Sequence, residues 1–414
     1  MTYQIAKWRM LLATMICYLF YYTGRQTFGF AIPGIEEELG LSKTDLGWAS
    51  AGLLWAYAIG QAINGQLGDR FGGRRMMPTG AVLSSILNWI VSFGQSVFGI
   101  GLPWVLNGFA QSMGWAPGSR LISNWWSGEQ RGLVYGLYVF SAGCASVLAF
   151  VTSITVIEMG LGWRWIFRAP VLMLFGIGIL YYFVARDHPE DLGFKADEDD
   201  SKGDDENNAN AETPANEAET AIEKYRAVLS NGRFRLGCIA IGLQNLARYG
   251  LLVWVPVHFL GDDWKQAGGT KWLSVSLPIG MAAGALANGW ISDRYFNGNR
   301  SKAIFPFLLL ASLSALVMWT LPREHPLVIP ALFTTGFFVY GPQSGFWALC
   351  PDTFGKQRAG TATGVMNFFA YLFAGTGEPL IGWLIESQNN TGIIFVVVAC
   401  ATSMGAVCAY WIKR

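Results

Sequence analysis

Long apolar stretches, each about the length a helix needs to cross a bilayer, recur along this chain and leave few architectures open to it. Hydrocarbon offers no partners to backbone N–H and C=O groups, so such segments close their hydrogen bonds internally as helices; about 20 residues span the core. Windows bounded by charges and turn residues predict spans at 10–32, 46–67, 76–96, 99–124, 132–156 and 165–185, then at 235–259, 271–291, 302–321, 327–349, 359–384 and 391–412. Composition agrees: 52% hydrophobic and 14% charged residues, with 18 Trp and 50 Gly among 414, lie outside the balance of a soluble domain. The expected fold is an all-α polytopic membrane protein.

Between the sixth and seventh spans, residues 187–224 carry a dense acidic and polar run (DEDDSKGDDENNANAETPANEAET within it). It holds too little apolar surface to pack and reads as a solvated linker. The expected organisation is thus 1–186 as a first six-helix half, 187–230 as a disordered cytoplasmic linker, and 231–414 as a second half. Lys7 and Arg9 ahead of an apolar run imitate a secretory signal, but no small-residue cleavage pattern follows and the run reaches Pro33; it is read as helix 1.

An even number of spans puts both termini on one side. Lys7, Arg9, Arg70, Arg74, Arg75, Arg131, Arg294, Arg300, Lys302, Lys356, Arg358, Lys413 and Arg414 fall on that side, against mainly Lys43, Arg164, Lys265, Lys271 and Arg323 on the other. The positive-inside bias makes the termini and the linker cytoplasmic.

The sequence also repeats. Asn64-Gly65-Gln66-Leu67-Gly68-Asp69-Arg70 matches Asn288-Gly289-Trp290-Ile291-Ser292-Asp293-Arg294, each where the second span of a half reaches the cytoplasm. Arg25 with Pro33 pairs with Arg248 and Pro256, and Gly128-Glu129-Gln130-Arg131 with Gly355-Lys356-Gln357-Arg358, at nearly the same offset. Six spans between equivalent points give the halves one orientation, a parallel repeat whose solute site is expected midway through the bilayer. Gly65-x-Leu67-Gly68-Asp69-Arg70-x-Gly72-Gly73-Arg74-Arg75, together with Gly162-Trp163-Arg164-Trp165-Ile166-Phe167, resembles the signature stretches of the major facilitator superfamily. The resemblance implies twelve transmembrane helices in two parallel six-helix repeats. Asp69, Arg70, Arg74, Arg120, Asp293 and Arg294 are expected in charge networks on the cytoplasmic face, with Arg120 about one turn from the end of helix 4.

An ionisable residue deep in a span costs about 2.5–3.5 kcal/mol on insertion scales and needs a reason. Arg25 and Arg248 lie well inside the first helix of each half, pseudo-equivalent across the central cleft. Their always-charged planar forks suit a phosphate or carboxylate; the alternative is permanent pairing with one of the few carboxylates in the spans, chiefly Glu378. Glu378, beside Pro379 in helix 11, is the candidate titratable group, either carrying a coupling proton or serving as the counter-ion of Arg248.

Further stretches are similar to the organophosphate:phosphate antiporters: Tyr21-Tyr22-Thr23-Gly24-Arg25 with Ala31-Ile32-Pro33, Leu246-Ala247-Arg248-Tyr249-Gly250, Gly114-Trp115-Ala116-Pro117, and Val339-Tyr340-Gly341-Pro342. The resemblance implies that Arg25 and Arg248 are the paired anion-binding arginines, with Tyr22, Gln61, Trp115, Asn245, Tyr340 and Tyr371 around the same cavity. The chain departs from that family at Gln26, Gln61 and Ala142, where relatives carry lysine, lysine and histidine.

The expected function is secondary transport of a small organic anion, an organophosphate such as a sugar phosphate or glycerol phosphate. A sugar-acid:proton symporter and a transporter-like sensor of hexose phosphate are the alternatives. Inorganic phosphate or a proton is the expected coupled ion, the lipid bilayer of a bacterial inner membrane the expected setting, and a monomer the expected state. No nucleophile-and-base set, nucleotide loop or metal-like Cys or His spacing appears, so no enzyme activity, cofactor, metal or nucleic-acid partner is expected.

Overall fold

The computed structural model describes residues 2–126, 128–194, 221–261, 264, 269–296 and 300–412. Most of the expected linker, 195–220, lies outside the described residues, as do Lys265, Lys413, Arg414 and the side chains of Asp69, Glu129, Gln130, Arg131, Asp293, Arg300, Lys356 and Arg358.

The first half is built from α1 (Tyr3–Tyr21), α2 (Phe28–Leu39), α3 (Lys43–Phe71), α4 (Gly73–Val91), α5 (Val97–Gln111), α6 (Trp115–Trp125), α7 (Gly128–Glu158) and α8 (Trp163–Val184). A short helix, α9 (Ala221–Ser230), leads into the second: α10 (Gly232–Leu260), α11 (Thr270–Leu273), α12 (Ser276–Phe296), α13 (Arg300–Thr320), α14 (Val328–Tyr340), α15 (Pro342–Gln388) and α16 (Ile393–Ile412). Six stretches are long and apolar enough to cross a membrane by length and composition: Leu137–Glu158, Trp163–Val184, Gly232–Leu260, Lys302–Thr320, Thr361–Gln388 and Ile393–Ile412. Several predicted spans are instead divided by a break.

The first predicted span, 10–32, is one of these: α1 ends in a tight 3-10 turn at Tyr22–Gly24, and α2 restarts at Phe28. Gly24 sits at the break because nothing larger fits. A Cβ there would stand 2.7 Å from both Gln111 Nε2 and Ser84 Oγ. The Gly24 carbonyl, freed from the helical ladder, accepts from Asn88 Nδ2 at 3.0 Å and Asn107 Nδ2 at 2.7 Å. The Ser84 hydroxyl donates to Asn107 Oδ1 at 2.6 Å and accepts from Gln111 Nε2 at 2.7 Å. Irregular backbone at membrane depth persists where protein satisfies it, and this buried knot from α4 and α5 does so. Asn107→Leu is expected to lower stability by about 1–3 kcal/mol, the cost of stripping partners from buried polar groups, read as a fall in the melting temperature of the purified protein.

The spans predicted at 99–124 and 327–349 hold equivalent places in the two halves and also break, before Trp115 and before Pro342. The helical run α15 turns back on itself. Cys350 Sγ and Met366 Sδ lie 3.8 Å apart across sixteen residues, whereas a straight helix would carry them roughly 24 Å apart at 1.5 Å per residue. The run therefore holds the end of one predicted span and the whole of the next. Residues 221–230, read from sequence as linker, form α9, whose Val228 is buried in a cluster with Phe234 and Phe354.

The halves meet where α3 packs on α15, α2 on α10 and α7 on α12. Glycines bring the backbones together. A Cβ on Gly29 of α2 would overlap the Val253 carbonyl oxygen of α10, and one on Gly47 of α3 would stand 2.7 Å from the Glu378 carbonyl oxygen. Polar contacts add a rim at the end opposite Tyr3: Trp264 Nε1 donates to Glu37 at 2.7 Å, Trp272 Nε1 to Glu158 at 2.7 Å and the Lys43 amide to Glu386 at 2.6 Å. Just inside this end, Trp55 Nε1 reaches the Leu372 carbonyl at 3.4 Å.

Candidate functional site

The break in helix 1 places Arg25 at the centre of the molecule, and the unbroken α10 brings Arg248 to the matching position. Arg25 lies over the Tyr22 ring, 4.1 Å from its centroid, and 4.9 Å from that of Tyr57; its Nη2 donates to the Tyr18 hydroxyl at 3.4 Å. Arg248 lies 4.2 Å from the Tyr340 centroid and 4.9 Å from that of Tyr249. The Tyr249 hydroxyl donates to Tyr371 at 3.3 Å, and Tyr371 packs against Tyr57 with centroids 4.9 Å apart. Tyr22 is within electrostatic reach of both guanidiniums. Two cations from opposite halves therefore share one cage of tyrosines.

The electrostatics of that cage are one-sided. Among the described residues neither arginine forms an ion pair, and the buried Nε of each has no hydrogen-bond partner. Cation–π contacts of about 2 kcal/mol or more when desolvated offset part of the cost of burying each charge, but no carboxylate does. An anion with one or two negative charges is the complementary ligand.

A cavity opens beside Arg25 toward the far end. Gln26, Ser50, Tyr57, Tyr249 and Tyr371 supply its polar lining together with Arg25, and Phe28, Leu53, Leu54, Trp104, Leu252 and Val253 its apolar walls. Arg248 and Tyr340 do not line it; they adjoin it through Tyr249.

The other sequence-predicted residues divide. Tyr22, Tyr340 and Tyr371 stand in the cage. Trp115 is one shell away, stacked on Tyr138 with centroids 4.6 Å apart and touching Tyr18. Asn245 spends its amide on the Ile241 carbonyl, Gln244 and Gln343, at 3.0, 2.9 and 3.4 Å. Gln61 is half-buried and lies outside the cavity lining.

Glu378 corrects one of the two roles read from sequence. It is fully buried, and its Oε2 accepts from Trp254 Nε1 at 2.9 Å while Oε1 has no partner. It makes no ion pair with Arg248 and does not line the cavity, so it is not the counter-ion. Pro379 follows it and α3 presses on the backbone of both residues at Gly47, so the main chain here lies in the contact between the halves while the carboxyl faces Trp254.

At the other end of the molecule, the signature loop is closed by a residue that the sequence reading missed. Gly72 has φ of 76°, a conformation that favours glycine. The carboxylate of Asp187 folds over it and accepts from the Arg74 amide at 3.0 Å, capping α4. Arg74 Nε reaches the Tyr182 carbonyl at 3.2 Å, while Arg70, Arg120 and Arg294 are exposed. Asp187→Ala removes this cap and is expected to cost about 1 kcal/mol of stability, seen as a lower melting temperature. Nothing in the spacing marks Asp187, which follows helix 6 far from the loop in sequence. Tyr18 and Tyr57 were likewise hidden among fifteen tyrosines.

Comparison with known proteins agrees with this architecture. The family model described as Major Facilitator Superfamily matches residues 14–378. The chain is 27% identical to the "Glycerol-3-phosphate transporter" of Bacillus subtilis over 99% of its own length and 93% of that protein. It is 28% identical to the "Membrane sensor protein UhpC" of Salmonella typhimurium over 98% and 91%. Among solved structures, a bacterial homologue of the human lysosomal transporter Spinster, inward-facing and occupied, superposes with a TM-score of 0.74 at 13% identity, covering 98% of this chain and 96% of that one. With an all-helical architecture and a family match over residues 14–378, the chain belongs to the Major Facilitator Superfamily.

Proposed function

We propose that this protein is a secondary transporter of a small organic anion, an organophosphate such as a glycerol phosphate or sugar phosphate, working by alternating access. The observation that carries the reading is the pair Arg25 and Arg248: pseudo-equivalent cations from opposite halves, the first half-buried and the second buried, in one tyrosine cage and, among the described residues, without a carboxylate partner. An anion bridging them relieves their mutual repulsion and draws the halves together around it. The similarity to proteins named as transporters of glycerol 3-phosphate and hexose phosphate supports the phosphorylated class. With inner-membrane residence and cytoplasmic termini, the sealed far end faces outward and the site is reached from the cytoplasm. The protein acts as a monomer and performs no catalysis.

Uptake of labelled glycerol 3-phosphate and glucose 6-phosphate into proteoliposomes loaded with inorganic phosphate tests this. Accumulation that depends on internal phosphate supports exchange. Uptake driven only by an imposed proton gradient supports proton symport instead, and its loss in Glu378→Gln would assign Glu378 the coupling role. Transport of sugar acids alone replaces the phosphate reading with a carboxylate one. The second reading, a membrane sensor, is favoured by the similarity to UhpC over 98% of the chain; ligand-induced stabilisation without accumulation selects it.

A further inference from the structure

The cavity beyond Arg25 contains a polar group that the anion site does not use. Gln26 lines it, is only 7% exposed, and neither its Nε2 nor its Oε1 has a hydrogen-bond partner. Buried amides in native proteins are nearly always satisfied, so a side chain with both ends unpaired at a cavity wall points to a ligand. The missing partner must match a donor and an acceptor side by side. The phosphoryl group of a phosphomonoester dianion accepts only, and would leave Oε1 unpaired. A hydroxyl group donates and accepts, and two neighbouring hydroxyls meet both ends of one amide.

The rest of the cavity fits that chemistry. Among the described residues, Arg25 is the one charged residue on its lining, at the side nearest the anion site. Ser50, itself buried, adds a hydroxyl, while Leu53, Trp104 and Leu252 supply apolar wall against which C–H faces can pack. We infer that Gln26 and Ser50 form a subsite for the hydroxylated carbon portion of the substrate, lying between Arg25 and the sealed end, so that the ligand is a polyol or sugar bearing one anionic group. This inference rests on the anion reading of Arg25 and Arg248.

The test uses the purified full chain and equilibrium binding of four probes: glycerol 3-phosphate and glucose 6-phosphate, which carry hydroxyls, and propyl phosphate and inorganic phosphate, which carry no carbon-bound hydroxyl. The wild type is expected to prefer at least one hydroxylated probe over propyl phosphate by roughly 10- to 100-fold, the span of one to two hydrogen bonds to a buried group. Gln26→Leu, similar in volume, removes most of that preference while leaving inorganic phosphate affinity within about threefold of wild type, which also shows the variant folded. Ser50→Ala reduces the same preference by a smaller factor. The proposal is overturned by a Gln26→Leu variant that keeps the preference, or by one that weakens all four probes equally. A wild type that binds none of the four overturns the anion reading, and the subsite with it.

Discussion

Arg25→Ala and Arg248→Ala are each expected to weaken ligand binding by about 30- to 5,000-fold. Truncating one partner of a buried charged contact costs about 2–5 kcal/mol, and a second guanidinium already lacking a carboxylate partner cannot compensate. Arg25→Lys and Arg248→Lys are expected to recover little, since an ammonium cannot offer two parallel donors to an oxyanion. Each cation is already held against a tyrosine ring, at 4.1 Å over Tyr22 and 4.2 Å over Tyr340. Titration of the purified variants with glycerol 3-phosphate and with glucuronate measures the loss. Wild-type affinity in either alanine variant would remove that residue from the site. Melting temperatures unchanged or raised would separate lost binding from lost folding, because each substitution also removes an uncompensated buried charge.

Gly29→Val is expected to hold the far end open and to stop transport altogether. Its side chain would occupy the position of the Val253 carbonyl oxygen on the opposing half, where neither backbone can yield without parting α2 from α10. The readout is access: a cysteine at Ser50, buried behind that contact, should be shielded from a bulky thiol reagent applied to the far face of wild type and exposed to it when Gly29 is Val. Modification of that position is followed by peptide mass spectrometry, so the native cysteines do not interfere. Equal shielding in both would show that the α2–α10 contact is not the barrier. Gly47→Val acts through the same logic on α3, where the obstacle is the backbone of Glu378 and Pro379.

Spans, repeat and family were legible because they rest on hydropathy, charge placement and motifs, which need no partner to be read. Arg25 and Arg248 were legible for a related reason: a cation in an apolar run stands out wherever its neighbours are. Breaks and partners were not. The interruption at Tyr22–Gly24 is stabilised by Asn88 and Asn107, whose role exists only once α4 and α5 pack against α1. Glu378 reads from sequence either as a carrier of a coupling proton or as the counter-ion of Arg248, and its direction toward the indole of Trp254, which bonds Oε2, is visible only in the packed structure. Asn245, one turn from Arg248, is held by Gln244 and Gln343 and turned away from anion chemistry. Proximity along a helix predicts depth in the membrane well, and side-chain direction poorly.

The two arginines differ in what carries them. Arg248 stands within a continuous helix from Gly232 to Leu260, whereas Arg25 follows a broken turn between two shorter helices. An equal pull from a bridging ligand therefore meets unequal stiffness. Arg248 is supported by an unbroken helical ladder, whereas the turn before Arg25 is held by side chains, Asn88 and Asn107 on the Gly24 carbonyl, and the chain runs on from it on the side of α2. That is also the side that presses on Val253 and, through Glu37, on Trp264. The proposed anion site and the far contact between the halves thus share one short segment, Phe28–Leu39, which leads on directly from Arg25.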